Sequence, residues 1–220
     1  LAKNRGVNNW DIDKYLKPNM TILEVGAGTG RYSLYYARKG YKVESVELVP
    51  HNIEIFKSKL EPNDDITIHE GNALDLNMYT DNTFDMTLVF GPMYHVYNDE
   101  DKKQVIKEAL RVTKKDGFVY FAYISHDAVI VDWGLVGGNL VKGIDTEMFT
   151  VDYKCKSTPK DLFAMFHIKE FNKITEQFPV TKLHTVGTDG VAPFFDEIFK
   201  KMDDRMYSEW VKYHFASCER

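Results

Sequence analysis

The chain has 220 residues, enough for one domain carrying a sizeable insertion, and its 44% apolar and 14% aromatic content builds a packed core and excludes a disordered chain. A formal net charge of −5 argues against nucleic acid as a substrate, although 28 Lys and Arg leave room for a local basic patch. No apolar run is long enough to span a membrane, the opening L-A-K-N-R-G is neither a secretory signal nor a complete start, and Cys155 and Cys218 fit a reducing cytoplasm without metal-site spacing.

Residues 9–17 (N-W-D-I-D-K-Y-L-K) read as a short amphipathic helix with Trp10, Ile12, Tyr15 and Leu16 as its apolar face, ended by Pro18-Asn19. Residues 21–25 then read as a strand buried on both faces. It runs straight into Gly26-Ala27-Gly28-Thr29-Gly30 and a helix over about 31–39. Strand, glycine turn and helix N-terminus together make a cradle for a nucleotide-like ligand, because glycine lets the backbone turn tightly and approach a ligand closely. The dinucleotide fingerprint G-x-G-x-x-G would place its third glycine at position 31, where Arg31 stands. Here the glycines fall at 26, 28 and 30, and Glu24 lies two residues before the first. A phosphate would be repelled by that carboxylate.

The acid-x-G-x-G-x-G arrangement resembles motif I of the class I S-adenosylmethionine-dependent methyltransferases, small-molecule type (methyltransferase-domain 11/25-like). The resemblance implies that Gly26, Ala27, Gly28 and Gly30 pack against the methionine part of S-adenosylmethionine and that Glu24 helps hold its amino group. The alternative is a glycine turn with a merely capping Glu24. In that family a leading helix often covers the cofactor, so Trp10 and Tyr15 either close the pocket or pack on the sheet.

Residues 42–47 form the next expected strand, ending on Glu47, which is placed to accept bonds from both ribose hydroxyls or to cap the helix expected over 50–60. Leu48 is placed to pack on an adenine face. A third strand over 65–70 leads to Gly71-Asn72-Ala73-Leu74, which matches the stretch that brackets adenine in the resembled family, where Asp is commoner than Asn72. Otherwise Asn72 is a turn residue. The fourth strand over 86–90 runs into Gly91-Pro92-Met93-Tyr94-His95, similar to a G-P-L-Y-H loop in a subgroup of small-molecule-type methyltransferases. It implies a cofactor contact for the Phe90-Gly91 backbone and places the loop beside the reacting methyl group. Amino-methyltransferases have Asn or Asp where Gly91 stands, which disfavours adenine-N6 and glutamine-N5 as acceptors. His95 is the ionisable side chain of this loop suited to proton removal near neutral pH, with Tyr94 and Tyr97 shaping the pocket; equally it holds the loop by a backbone hydrogen bond.

Asn98 or Asp99 is expected to cap a helix running to about 113, followed by a fifth strand over 118–124. Residues 125–167 break the alternation and form the expected insertion, with a glycine-interrupted helix over 127–142. The resembled family builds its substrate lid there. His126 and Trp133 are its candidate substrate residues, within an aromatic set (Phe149, Tyr153, Phe163, Phe166) that suits a ring-bearing acceptor or a small subdomain core. His167 is a further polar candidate. A helix over 169–178, a sixth strand over 180–187 and helices within 191–215 complete the chain; no seventh strand is legible.

The expected fold is a single α/β domain over 1–220, doubly wound, with a mostly parallel, seven-stranded-type sheet and a lid insertion at 125–167. The expected function is S-adenosylmethionine-dependent methyl transfer to a small-molecule O, N or C nucleophile in the cytoplasm, with no metal and no membrane partner; the oligomeric state stays open. The alternatives are an NAD-dependent oxidoreductase, a cofactor-binding partner protein without catalysis, and a nucleic-acid methyltransferase.

Overall fold

The computed structural model describes residues 11–187 and 201–218. Trp10 and the part of the expected C-terminal helices over 191–200 lie outside them. The described residues fall into two compact units where the sequence suggests one domain: Pro18–Val180, and a second made from the described parts of 1–17 and 181–220.

In the larger unit, T-I-L-E-V forms β1 (Thr21–Val25), paired in parallel on one side with β2 (Lys42–Glu47) and on the other with β4 (Phe84–Val89). A strand hydrogen-bonded on both edges and covered on both faces has no solvated side. That is why the strand is buried from Ile22 to Val25, the acid Glu24 included, rather than alternating between buried and exposed positions. Ile22, Leu23 and Val25 are fully buried, each contributing about 1.5–3 kcal/mol. β3 (Ile66–Glu70) and β5 (Thr113–Phe121) complete a sheet in the order β3-β2-β1-β4-β5, parallel throughout. The chain order reverses between β1 and β4, so the crevice at their carboxyl ends is the switch point where such sheets bind ligands.

The helices follow local signals. α1 (Arg31–Ala37) begins at Gly30, α2 (Pro50–Lys57) has Pro50 in its first turn, and α3 (Asp99–Val112) is capped by Asn98, whose Oδ1 accepts from the Asp101 amide at 2.7 Å. α3 also carries Asp99, Glu100 and Asp101 in its first turn, where the helix dipole favours negative charge, and buries Val105, Ile106, Ala109 and Val112. α1 and α2 pack on β2 and β3, and α3 packs on β4 and β5. Asp85 accepts from the Thr21 amide and hydroxyl and from Lys114 Nζ, at 2.8, 2.9 and 2.8 Å, which ties the start of β1 to its neighbour strands. The fifth strand starts earlier than expected, at Thr113, because a register shift around Asp116-Gly117 lets Thr113 pair with Phe84 before the ladder resumes at Phe118.

After β5, β6 (Ile124–Ser125) and β7 (Met165–Phe166) pair in parallel as a separate two-stranded sheet. Between them the expected 127–142 helix is replaced by α4 (His126–Val129), a π-helical segment (Ile130–Val136) and α5 (Leu140–Asp145), broken at Gly137-Gly138 where Gly138 has φ +70. α6 (Ile168–Thr175) follows, with His167 and Glu170 forming its capping box.

Residues 180–187 form no strand where the sixth was expected, and the main sheet has five strands among the described residues, a mostly parallel, doubly wound sheet as expected. The V-T-K-L-H-T-V alternation there buries no apolar face: Val180 and Leu183 are exposed. In the smaller unit, His184 Nε2 lies 2.9 Å from the Asp11 carboxylate and stacks on Tyr15, while residues 204–218 form helix α7 (Asp204–Cys218).

Candidate active site

The turn after β1 needs its glycines for different reasons. Gly26 has φ +74 and a Cβ there would lie 2.6 Å from Pro92 Cδ; Gly30 has φ +84 and a Cβ would strike the Phe56 ring at 2.2 Å. These two let the turn pack against the 91–92 loop and α2. Gly28, with φ +54, has nothing within 4 Å of its Cβ position, so its side faces open space.

The two acids near the turn point to different places. Side chains alternate along a strand, so Leu23 and Val25 join the core beneath α3 while Ile22 and Glu24 take the opposite face. Glu24 is 2% exposed, and its Oε2 accepts from the Ser33 amide at 2.8 Å and from the Ser33 hydroxyl. Ser33 Oγ in turn lies 2.7 Å from Ser45 Oγ on β2. The carboxyl thus satisfies an orphan amide of the first turn of α1. This is the bonding that the capping alternative describes. Burial pushes its pKa up to about 7, opposed by the Ser33 bonds and aided by Glu47.

Glu47, at the carboxyl end of β2, accepts from the Gly28 amide at 2.7 Å through Oε2, and from the Val49 amide at 3.0 Å and Asn52 Nδ2 at 3.1 Å through Oε1. Three donors fix the carboxylate against the open side of the turn, and a carboxylate with about four acceptor positions keeps capacity for a ligand. Leu48 follows, 59% exposed after a buried strand. The next loop is joined to it through the Gly71 amide, which donates to Glu47 O at 3.0 Å. Asn72 Oδ1 accepts from the Leu74 amide at 3.0 Å, the turn use weighed in the sequence, and Ala73 is buried.

After β4, Gly91 meets the glycine turn so closely that a Cβ would lie 3.0 Å from Gly26 O. Residues Pro92–His95 form a short 3₁₀ helix. Tyr94 donates its hydroxyl to Phe90 O at 2.7 Å, and the Phe90 ring packs edge-on to Tyr32 at 4.8 Å. Phe163, from the segment before β7, packs 5.5 Å from both the Tyr94 and the His95 rings. Two hydrogen bonds seal this contact: Ala164 N to Tyr94 O at 2.8 Å and the Tyr97 hydroxyl to Asp161 O at 2.5 Å.

Residues 23–121 match the methyltransferase domain family. The matched segment is under half of the chain, and over it the chain is similar to a methyltransferase domain. The chain is 33% identical over 110 residues to a demethylmenaquinone methyltransferase of Renibacterium salmoninarum, covering 50% of this chain and 43% of the relative. It is 31% identical over 108 residues to the Lysinibacillus sphaericus enzyme of the same name, covering 47% and 44%. The chain thus spans less than half the length of these curated relatives. Its fold is shared with a Methanosarcina mazei protein described as an S-adenosylmethionine-dependent methyltransferase (TM-score 0.58, 20% identity, 76% of this chain and 82% of that one). A Pyrococcus horikoshii protein shares it as well (TM-score 0.59, 18% identity, 82% and 83%).

An open glycine face at Gly28, an anchored carboxylate at Glu47 and an exposed apolar side chain at Leu48 lie together at the carboxyl edge of the sheet, a set of groups whose chemistry fits a nucleoside-bearing cofactor. Among the described residues no His, Cys, Asp and Glu cluster could hold a metal.

Two predicted substrate residues, His126 and Trp133, make their contacts within the insertion and with α6. His126 is 6% exposed; its Nδ1 accepts from the Cys155 amide at 3.0 Å, and its Nε2 faces Glu170 at 3.7 Å. Burial lowers its pKa, so the neutral ring serves as an internal fastener between the insertion and α6. Trp133 packs edge-on to Phe149 at 6.0 Å, as a subdomain core would require. Ser33 and Asn52 are the residues that sequence reasoning missed; the sequence shows Phe163 only as one of an aromatic set, without its contact to Tyr94 and His95. Ser33 carried a weak signal, a small hydroxyl in the first turn of a helix. Asn52 carried none beyond composition.

Proposed function

We propose that this chain transfers a methyl group from S-adenosylmethionine to a small, apolar, ring-bearing acceptor, and that residues 125–167 serve as the lid over it. The supporting observation is the Glu47 carboxylate held by Gly28 and Val49 beside exposed Leu48. When bound, the cofactor supplies an electrophilic methyl group on a sulfonium. Glu47 accepts from the ribose hydroxyls, Leu48 and Asn72-Ala73 bracket the base, and Gly26, Ala27, Gly28, Gly30 and the Phe90-Gly91 backbone line the rest. Tyr94, His95 and Phe163 form an aromatic wall at the carboxyl end of β4, with Tyr97 pinning the lid. A flat ring lying against that wall is held by stacking and by exclusion of water. The relatives' names point the same way, since they act on demethylmenaquinone.

His95 is exposed, and no hydrogen bond holds its ring among the described residues, so the imidazole is available to take a proton from an acceptor hydroxyl or ring carbon. Positioning the nucleophile in line with the methyl group does the larger share of the work. The net charge of −5 favours a small molecule over nucleic acid, and the two cysteines favour the cytoplasm. Among the described residues no helix is long and apolar enough to cross a membrane.

The test is parallel calorimetric titration with S-adenosylmethionine, S-adenosylhomocysteine and NAD, followed by turnover with demethylmenaquinone as acceptor. Binding of the two adenosyl ligands without NAD, and methylation of the ring substrate, are expected. Binding of NAD alone, or of nothing, overturns the reading. His95→Ala is expected to lower kcat by about 10²–10⁴-fold, the range for a general base, while leaving S-adenosylhomocysteine affinity unchanged; normal turnover would exclude the base role.

A further inference from the structure

The loop between β3 and β4 holds Asn72 and Ala73 and joins no sheet or helix ladder. Besides an isolated Asn72–Asp75 bridge and its turn bonds, Asp75 N to Asn72 O at 3.0 Å and Tyr79 N to Leu76 O at 2.9 Å, side chains from outside it hold its backbone. One face of α3 does so. Gln104, Glu108 and Arg111, spaced four and three residues apart, lie on the same side of the helix. Gln104 Nε2 donates to Leu74 O at 3.0 Å, and Glu108 Oε2 accepts from the Leu76 amide at 2.8 Å. Arg111 donates through Nη2 to Leu76 O at 3.0 Å, and through Nη1 to Tyr79 O and to Asp81 Oδ1, each at 2.9 Å. The two side chains form a bidentate pair, Nε to Oε1 at 2.9 Å and Nη2 to Oε2 at 2.7 Å. Glu108 is 7% exposed.

A largely buried ion pair is a poor way to gain stability, since well-packed apolar residues would serve as well or better. What apolar residues cannot do is hold specific main-chain amides and carbonyls. Here the planar guanidinium grips two carbonyls and the carboxylate one amide, all within residues 76–79. At its other end the loop is tied to Glu47 O through Gly71 N.

We propose that Glu108 and Arg111, assisted by Gln104, are positioning residues that set the adenine-recognition edge of the cofactor site without touching the cofactor. This rests on the assignment of Asn72-Ala73 to the base under the proposed function. Loss of the clamp lets the loop move relative to Glu47 and costs base discrimination more than general affinity.

The experiment compares binding of S-adenosylhomocysteine with that of S-inosylhomocysteine, which lacks the exocyclic amine, in the full chain and in Arg111→Lys, Glu108→Gln and Gln104→Ala. Circular dichroism checks that each variant is folded at the titration temperature. Gln104→Ala removes one hydrogen bond at a half-buried position and provides a milder variant should the others not fold. Wild type is expected to prefer the adenine ligand. Folded variants are expected to lose at least fivefold of that preference, with Arg111→Lys restoring less than the wild-type fork because a single ammonium cannot grip both carbonyls. An equal loss for both ligands, or an unchanged ratio, overturns the positioning role. Failure of wild type to bind S-adenosylhomocysteine at all instead removes the cofactor reading on which it stands.

Discussion

Glu24 and Glu47 both flank the glycine turn, and their surroundings give them opposite tasks. Glu24 is enclosed between β1 and α1, and burial raises its pKa from 4.5 to about 7. The folded state therefore holds this proton more tightly than the unfolded chain. The stabilisation is complete below about pH 4.5 and is lost as pH rises through about 7, with no further change above. Wild type should lose up to about 3 kcal/mol relative to Glu24→Gln across that window. Denaturant unfolding of both proteins at pH 5 and pH 8 measures the difference; parallel pH profiles would show that Glu24 titrates normally. Glu47 has one oxygen on the Gly28 amide and faces the open side of the turn. Glu47→Ala should weaken S-adenosylhomocysteine binding by about 1–3 kcal/mol, the usual loss for a bond to a charged group. Unchanged affinity by calorimetry would remove the ribose assignment.

The joints between elements are where this fold is most sensitive. Gly30 starts α1 in the left-handed region with the Phe56 ring against it, so Gly30→Ala combines backbone strain with a steric clash. It should cost at least about 1–2 kcal/mol of stability from the backbone alone, read as a lowered denaturation midpoint at unchanged m-value. Gly28, facing open space, should tolerate the same change with the strain cost only, while its cofactor affinity falls because the Cβ enters the cradle. Asn98→Ala should cost about 1 kcal/mol through loss of the cap on α3. Elements that announce themselves by such local chemistry were legible: β1 and β2 lie where the pattern placed them, and α3 starts at its Asn98 cap. The insertion was not. Its helix is interrupted where Gly137-Gly138 breaks the run, and its β6–β7 pairing joins residues some forty positions apart.

For the whole molecule, the five-stranded parallel order puts the β1 turn, Glu47, the Asn72 loop and the Tyr94 loop along one edge of the sheet. A ligand bound there contacts four segments that are distant in sequence, so it should stabilise the folded chain as a unit. S-adenosylhomocysteine at 100 times its Kd should add about 2.7 kcal/mol to the unfolding free energy, seen as a concentration-dependent rise in Tm; NAD should leave Tm unchanged. The sequence by itself determined the strand-turn-helix unit, the class of cofactor and the strands up to β5, because these depend on short-range spacing: glycines two residues apart, a period of two in strands, caps at helix starts. Only the tertiary structure decided that Glu24 is enclosed against Ser33 while Glu47 lies on the open side of the turn, that His126 is buried against Cys155 and Trp133 packs on Phe149, that Phe163 meets Tyr94 and His95, and that Arg111 reaches back 35 residues to Leu76. The alternating run at 180–187 makes the same point: alternation marks a strand only where a sheet edge is available to pair with it and an apolar face is buried, and neither condition is written in the local sequence.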